Sequence, residues 1–174
     1  AEPLVLVRRR QADLVEPVDF VAIGDPRAVG IVIGPGAVPR LLARDAGLTV
    51  SSLCRSGFFH DADWYDENRR AIDEATALGT DTLVLVSGGL TGRDLDGARR
   101  HVGEAIGALV PDAQAAGVRL AIEPLHPMFA SDRCVVSTLG QALDIAADFA
   151  PEVVGARLSA WLGHWDFVAA TADD

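Results

Sequence analysis

A glutamate and a histidine that stand three residues apart are the residues of this chain best placed for chemistry. Glu123 and His126 follow a short apolar run that opens at Gly117 and is closed by Pro124. Such a run predicts a strand buried on both faces, and proline cannot continue its hydrogen-bond ladder. In sheets that alternate with helices, ligands bind at the carboxyl ends of the strands. A glutamate there is better placed for chemistry than one on a helix face, although a loop glutamate that only caps or pairs remains an alternative.

The elements that would position these residues are strands that alternate with helices. Three glycines each follow a helical pattern and precede an apolar run, which is typical of left-handed helix caps that lead into strands. They are Gly47, Gly79 and Gly117. The strands that follow are predicted over residues 48–54, 82–86 and 118–122. Repeated strand-helix units of this kind make a parallel sheet with right-handed crossovers.

The other predicted elements complete this α/β pattern. A helix is predicted to begin at Asp94, and Pro111 is expected to bend it or split it in two. Thr138 and Gln141 have capping-box spacing and predict the start of another helix. The remaining predicted elements are strands over 4–7, 19–23, 29–33 and 153–158, and helices that begin near residues 39 and 61.

Polar side chains collect where the predicted strands end, and they suit a small polyhydroxylated ligand. Taken singly, each of these residues is explained more simply as a solvated loop residue or a turn former. The functional interpretation therefore depends on all of them lying at the same edge of the sheet. Besides Glu123 and His126, the candidates for this edge are Arg55, His60 and Ser87.

The amino-acid composition limits the classes of protein to which the chain can belong. The chain has 174 residues, 49% of them hydrophobic, and a net charge of −10, which predicts a globular domain and argues against a nucleic-acid surface. No apolar run reaches the roughly 20 residues of a membrane span, and no leader pattern is present. We therefore expect a cytoplasmic protein without a membrane partner. Cys54 and Cys134 have no metal-knuckle spacing and are expected to be reduced thiols.

Four segments, residues 46–59, 68–79, 83–89 and 117–129, resemble the sugar phosphate isomerase/epimerase family of xylose isomerase-like TIM barrels. The resemblance runs from about Leu41 to Asp148, and Glu-Pro-Leu-His-Pro is its most specific part. It implies (β/α) repeats with parallel strands and a small sugar-like substrate. It also implies proton transfer next to a carbonyl, assisted by a divalent metal ion (Mn, Mg, Co or Zn).

The resemblance also implies roles for particular residues. Glu123 matches the family's first metal-ligating glutamate, which can also act as the base, and His126 matches a substrate-facing position. The sequence departs from the family further on, because Ser159 stands where an aspartate ligand is expected and Leu162 where a histidine is expected. We expect a single domain over residues 1–174 that is divergent over 1–36 and shorter than a full barrel, which needs about 250 residues.

Because of these departures, the main alternative to an enzyme is a non-catalytic binding or assembly module of the same fold. The apurinic-endonuclease branch of the superfamily is disfavoured by the acidic balance of the chain. Because an incomplete barrel exposes unpaired strand edges, we expect a homo-oligomer, with residues 159–174 as the candidate interface.

Overall fold

The computed structural model describes residues 3–7, 31–32, 49–159 and 165–168 of the chain. Strands and helices alternate through most of this part, as the glycine-capped pattern predicts. The elements are β1 (Pro3–Val7), β2 (Ile31–Val32), β3 (Thr49–Gly57), α1 (Trp64–Leu78), β4 (Thr82–Val86), α2 (Leu95–Ala116), β5 (Arg119–Ile122), α3 (Leu139–Ala146), β6 (Val154–Ser159) and β7 (Trp165–Val168).

The described strands form one sheet in the order β2-β1-β3-β4-β5-β6-β7. Every neighbouring pair from β2 to β6 is parallel, which confirms the predicted (β/α) architecture. Strand β7 departs from it, because it pairs antiparallel with β6. A parallel return needs a crossover of a dozen or more residues, and only residues 160–164 separate the two strands. The described sheet is therefore an incomplete version of an eight-stranded parallel barrel.

Local signals in the sequence set the ends of the helices. Gly79 and Gly117 adopt left-handed conformations with φ of 76° and 66°, which confirms them as caps. The hydroxyl of Thr138 accepts a hydrogen bond from the amide of Gln141 and caps α3 as predicted. Pro111 is expected to bend α2 or split it in two; it does not split it, because the helix runs through Pro111 without a break, and the bend stays a prediction. Pro111 lies on the exposed side, where water can satisfy the carbonyl that loses its partner.

Strand β3 is longer than predicted and contains Arg55 instead of ending before it. The register shifts between Cys54 and Ser56, so Arg55 is the extra residue of a β-bulge. Gly57 ends the strand with φ of 99°. The bulge explains the difference, because it lets the strand continue beyond the apolar run that the sequence pattern recognises.

The two faces of the sheet have different roles. Side chains on one face join the apolar core beneath the helices, and these are Leu53, Leu83, Leu85, Leu120, Ile122, Val154 and Ala156. Because side chains alternate along a strand, the residues between them lie on the opposite face, which we call the inner face. In the paired register its middle row is Cys54, Val84, Ala121 and Gly155.

Several predicted features lie outside the described residues, namely the strand over 19–23, the helix near residue 39 and most of the tail after Ser159. Ser159 itself is the last residue of β6 instead of following it. None of the helices that the structure describes has the length and apolar character needed to span a bilayer.

Candidate functional site

Glu123 stands at the carboxyl edge of the sheet, immediately after β5. Its amide donates to the carbonyl of Leu85 at 2.9 Å, so the backbone there is still tied to β4. Glu123 is only 6% exposed. Since Ile122 faces the helices, alternation places Glu123 on the inner face, one step beyond the small side chain of Ala121. The sheet thus holds a buried carboxylate where parallel α/β folds bind ligands.

A buried arginine stands beside this glutamate on the neighbouring strand. Ile122 pairs with Ala156, and the next residues along β5 and β6 are Glu123 and Arg157. Arg157 is 4% exposed. Ala156 belongs to the helix-side core, so Arg157 also lies on the inner face. Opposite charges therefore occupy adjacent strands on one face of the sheet. Sequence reasoning missed Arg157, although an arginine inside an otherwise apolar strand was a usable signal.

Asn68 of α1 fixes the end of β3. Its side-chain oxygen accepts from the Ser56 hydroxyl at 2.6 Å and from the Gly57 amide at 2.7 Å. Its side-chain nitrogen donates to the carbonyls of Gly57 and Trp64, both at 2.7 Å. Asn68 is 1% exposed, so these four bonds are made away from water. The sequence offered a signal for it, because a helical spacing of four from Trp64 puts Asn68 on the buried side of α1.

Ser87 follows β4 on the same edge as Glu123, and its hydroxyl holds a loop in place. The oxygen accepts from the amides of Val135 and Val136 at 3.0 and 3.4 Å and lies 3.2 Å from the sulfur of Cys134. Gly88 forms a parallel bridge with Cys134, so this loop extends the sheet beyond the end of β4. The hydroxyl of Ser87 is already occupied by these contacts, and its predicted role in substrate binding stays a prediction.

His126 lies three residues beyond Glu123 and caps the single 3₁₀ turn Pro127–Phe129. Its Nδ1 accepts from the amide of Met128 at 3.2 Å, so that nitrogen carries no proton. The residue is exposed at the rim of the sheet. This bond fixes the tautomer of a neutral ring and leaves Nε2 as the donor that can face a ligand.

His60 lies on the same edge, beyond β3, and borders a cavity together with Ser87. This cavity has a volume of about 560 Å³ and is lined by residues that include Trp64, Asp94 and His101 but not Glu123. The His60 ring packs against the backbone of Gly88, and its Nε2 lies 3.3 Å from a carboxylate oxygen of Asp61. His60 and Glu123 thus share an edge of the sheet without lining this cavity together.

Arg55 completes the predicted set. It is the bulged residue of β3, and its side chain lies outside the described part of the structure. The predicted site residues therefore all belong to the carboxyl-terminal part of the sheet or the loops that follow it.

The donors that the structure describes around Glu123 do not fit a divalent metal ion. Such ions need several oxygen or nitrogen ligands around one point. Within the part of the chain that the structure describes, no group of three histidine, cysteine, aspartate or glutamate side chains could hold one. Beside Glu123 the neighbouring strand presents an arginine, which has no lone pair to donate.

A family model described as xylose isomerase-like TIM barrel matches residues 40–160 of the chain, which confirms the resemblance seen in the sequence. Protein SMc04130 from Sinorhizobium meliloti 1021 is 54% identical, with a TM-score of 0.63, over 68% of this chain and 46% of that one. No protein with a curated description matches the chain.

Two more distant solved structures share the fold. The 3-keto-D-glucoside 4-epimerase YcjR from E. coli is 19% identical, with a TM-score of 0.56, over 67% of this chain and 50% of that one. The IOLI protein, solved with a bound zinc atom, is 21% identical, with a TM-score of 0.54, over 68% of this chain and 45% of that one. The chain spans about half the length of the solved structures it matches.

Proposed function

Because the chain belongs to the xylose isomerase-like TIM barrel family, we propose that it acts as an isomerase or epimerase on a small sugar or sugar-like carbonyl compound. The observation that supports this proposal is the buried carboxylate of Glu123, which follows a central strand at the carboxyl edge of the sheet. An epimerase among the structures of the same fold, YcjR, agrees with a reaction of this class.

Glu123 would act as the base. A hydrogen on the carbon next to a carbonyl is acidic, and a positioned carboxylate can remove it as a proton. The electron pair of the broken C–H bond moves to the carbonyl oxygen and gives an enediolate. In an isomerisation, the hydroxyl proton on the deprotonated carbon moves to the former carbonyl oxygen, and Glu123 returns its proton to the former carbonyl carbon. In an epimerisation, Glu123 keeps the abstracted proton, and a second acid, such as water, protonates the same carbon from the opposite face.

The other predicted residues of the edge would bind the substrate. His126 offers its Nε2 hydrogen to a hydroxyl or carbonyl oxygen, because its Nδ1 already accepts from Met128. Arg55 and His60 are proposed as further contacts to hydroxyl groups. Ser87 would contribute by holding the loop at residues 134–136, with which its hydroxyl already bonds.

The proposed reaction does not use the metal ion that the family implies. Glu123 is the ligand that the sequence predicts, but the donors around it in the described residues do not form a divalent-metal site.

The proposal is tested by exchange of carbon-bound hydrogen with solvent. The protein is incubated with ketoses and keto-glycosides in D₂O, and NMR follows deuterium incorporation next to the carbonyl. For a substrate exchanged by the wild type, we expect Glu123→Gln to lower the rate by at least about 100-fold, since the amide cannot take a proton. Glu152→Gln is the matched control, because Glu152 is exposed at the opposite edge of the sheet. An unchanged rate in Glu123→Gln would refute the role of the carboxylate.

A non-catalytic binding module remains the second candidate, and the observation in its favour is Ser159, which stands where the family resemblance expects an aspartate ligand. A folded wild type that binds carbonyl sugars by calorimetry without any deuterium incorporation would favour this candidate. The association into a homo-oligomer that open strand edges lead us to expect stays a prediction.

A further inference from the structure

Glu123 immediately follows β5 and Arg157 lies within β6, and the register of the two strands places their backbones at neighbouring positions on the inner face. We propose that Arg157 supplies the positive charge of the Glu123 site in place of a divalent cation. In this proposal, which rests on the proposed function, the guanidinium holds the carbonyl oxygen of the substrate. When Glu123 takes the proton from the neighbouring carbon, the charge that develops on that oxygen is met by the N–H groups of Arg157.

The burial of both groups supports a shared site. A guanidinium remains protonated in proteins, so burial does not remove its charge. A buried charge is costly unless an opposite charge or several hydrogen bonds accompany it. Glu123 and Arg157 are both more than nine-tenths buried, and the register of β5 and β6 brings their backbones to adjacent positions. An attraction between the two charges would lower the cost of burying each of them, whatever additional partners each one has.

The row beneath the two charges is built from small residues. On the same two strands, the inner-face positions that precede Glu123 and Arg157 are Ala121 and Gly155, which pair with one another. A larger side chain at either position would occupy the space below the charged groups. The small row thus keeps bulky side chains of β5 and β6 away from the inner-face space next to the carboxylate and the guanidinium.

The same arrangement disfavours a metal ion at Glu123. Arginine presents five N–H donors and no acceptor, so Arg157 cannot act as a ligand. Its charge would also repel a divalent cation placed between the two strands. A guanidinium can serve the electrostatic purpose of such an ion, because its N–H groups stabilise negative charge on an oxygen without a ligand sphere.

A double-mutant cycle on stability tests the coupling without any substrate. The unfolding equilibrium constants of the wild type, Glu123→Gln, Arg157→Met and the double variant are measured with urea. We expect the two substitutions to be coupled by about tenfold, with the double variant more stable than the sum of the single losses predicts. The control cycle combines Glu152→Gln with Arg133→Met, two exposed residues, and should show no coupling. A Glu123–Arg157 coupling no larger than that of the control would overturn the proposal.

Two further arms keep the test decisive. If Arg157→Met does not fold, Arg157→Gln replaces it in the cycle, since it removes the charge but retains a polar side chain. Mn²⁺ and Zn²⁺ are added separately, in millimolar excess, to protein treated with EDTA. We expect neither ion to raise the thermal midpoint of the wild type more than that of Glu123→Gln. A rise that requires Glu123 would place a metal ion there and overturn the proposal.

The outcomes also separate this proposal from the proposed function. Coupling with no deuterium exchange would reject the proposed chemistry while keeping the charge pair. Exchange that depends on Glu123 without coupling would keep the chemistry and reject Arg157.

Discussion

Replacement of Asn68 by alanine should destabilise the protein far more than the loss of one side-chain amide on a helix surface. The substitution deletes four hydrogen bonds, three of which tie α1 to Ser56 and Gly57 at the end of β3, while the fourth is to the carbonyl of Trp64 within α1. The hydroxyl of Ser56 and the amide and carbonyl of Gly57 would each lose a partner in a region that excludes water. An unsatisfied buried group costs about 1–3 kcal/mol, so three of them at the lower end give a loss of about 3 kcal/mol.

The loss is measured by urea unfolding followed by circular dichroism. With a slope of about 2 kcal/mol per molar, 3 kcal/mol moves the midpoint down by about 1.5 M urea. Asp73→Ala on the same helix is the matched control, because the side chain of Asp73 is exposed and its removal should change stability by less than about 0.5 kcal/mol.

Asn68→Asp separates hydrogen bonding from side-chain volume. The carboxylate keeps the shape and the acceptor toward Gly57 but cannot donate to the carbonyls of Gly57 and Trp64. Relative to the wild type, the penalty should shrink as the pH falls and the new carboxyl is protonated, because it then regains one donor. If Asn68→Ala lost less than about 1 kcal/mol, or behaved like Asp73→Ala, the reasoning that Asn68 fixes the end of β3 would be refuted.

Two other predictions concern the frame of the sheet. Gly57→Ala should lower the free energy of unfolding, measured with urea, by more than about 2 kcal/mol. The backbone there has φ of 99°, and the new Cβ would lie 2.1 Å from the Val86 carbonyl oxygen. Gly92→Ala is the control, because Gly92 also has positive φ but has open space around it, and this substitution should lower the free energy of unfolding by less. Burial alone would raise the pKa of Asp81, but hydrogen bonds from Arg119 and Thr82 outweigh it and hold that pKa below its usual range. Because the folded state lowers this pKa, Asp81→Asn should lose up to about 0.5 kcal/mol at neutral pH, and the difference from the wild type should vanish as the pH falls below the lowered pKa; an equal loss at pH 2 would contradict this reasoning.

Much of the frame could be predicted from the sequence because local chemistry determines it. Gly79 and Gly117 cap their helices through a conformation that glycine adopts at little cost, and Thr138 caps α3 through its own hydroxyl. The position of Glu123 at a strand end could be predicted for a similar reason, since an apolar run that ends at a proline marks the end of a strand. These signals need only neighbours along the chain.

The features that escaped prediction depend on contacts between distant segments. The bulge at Arg55 is a matter of register between β3 and β4, and no residue type announces it. The contact between Ser87 and Cys134 joins residues 47 positions apart and extends the sheet with a loop. Strand β7 turns back because its connection is short, although its sequence alone would fit a parallel strand equally well.

The two faces of the sheet differ in the residues that they carry. Toward the helices, alternate residues of β4, β5 and β6 are aliphatic and fully buried, so that face supplies most of the apolar burial that stabilises the fold. On the inner face, the paired residues of β5 and β6 are the small Ala121 and Gly155. The next inner-face positions toward the carboxyl edge are the charged Glu123 and Arg157. Aliphatic residues would stabilise these inner positions more than a buried pair of charges does, since desolvation offsets much of the attraction. This cost in stability is what we expect if Glu123 and Arg157 form the proposed charged site at the edge where this fold binds ligands.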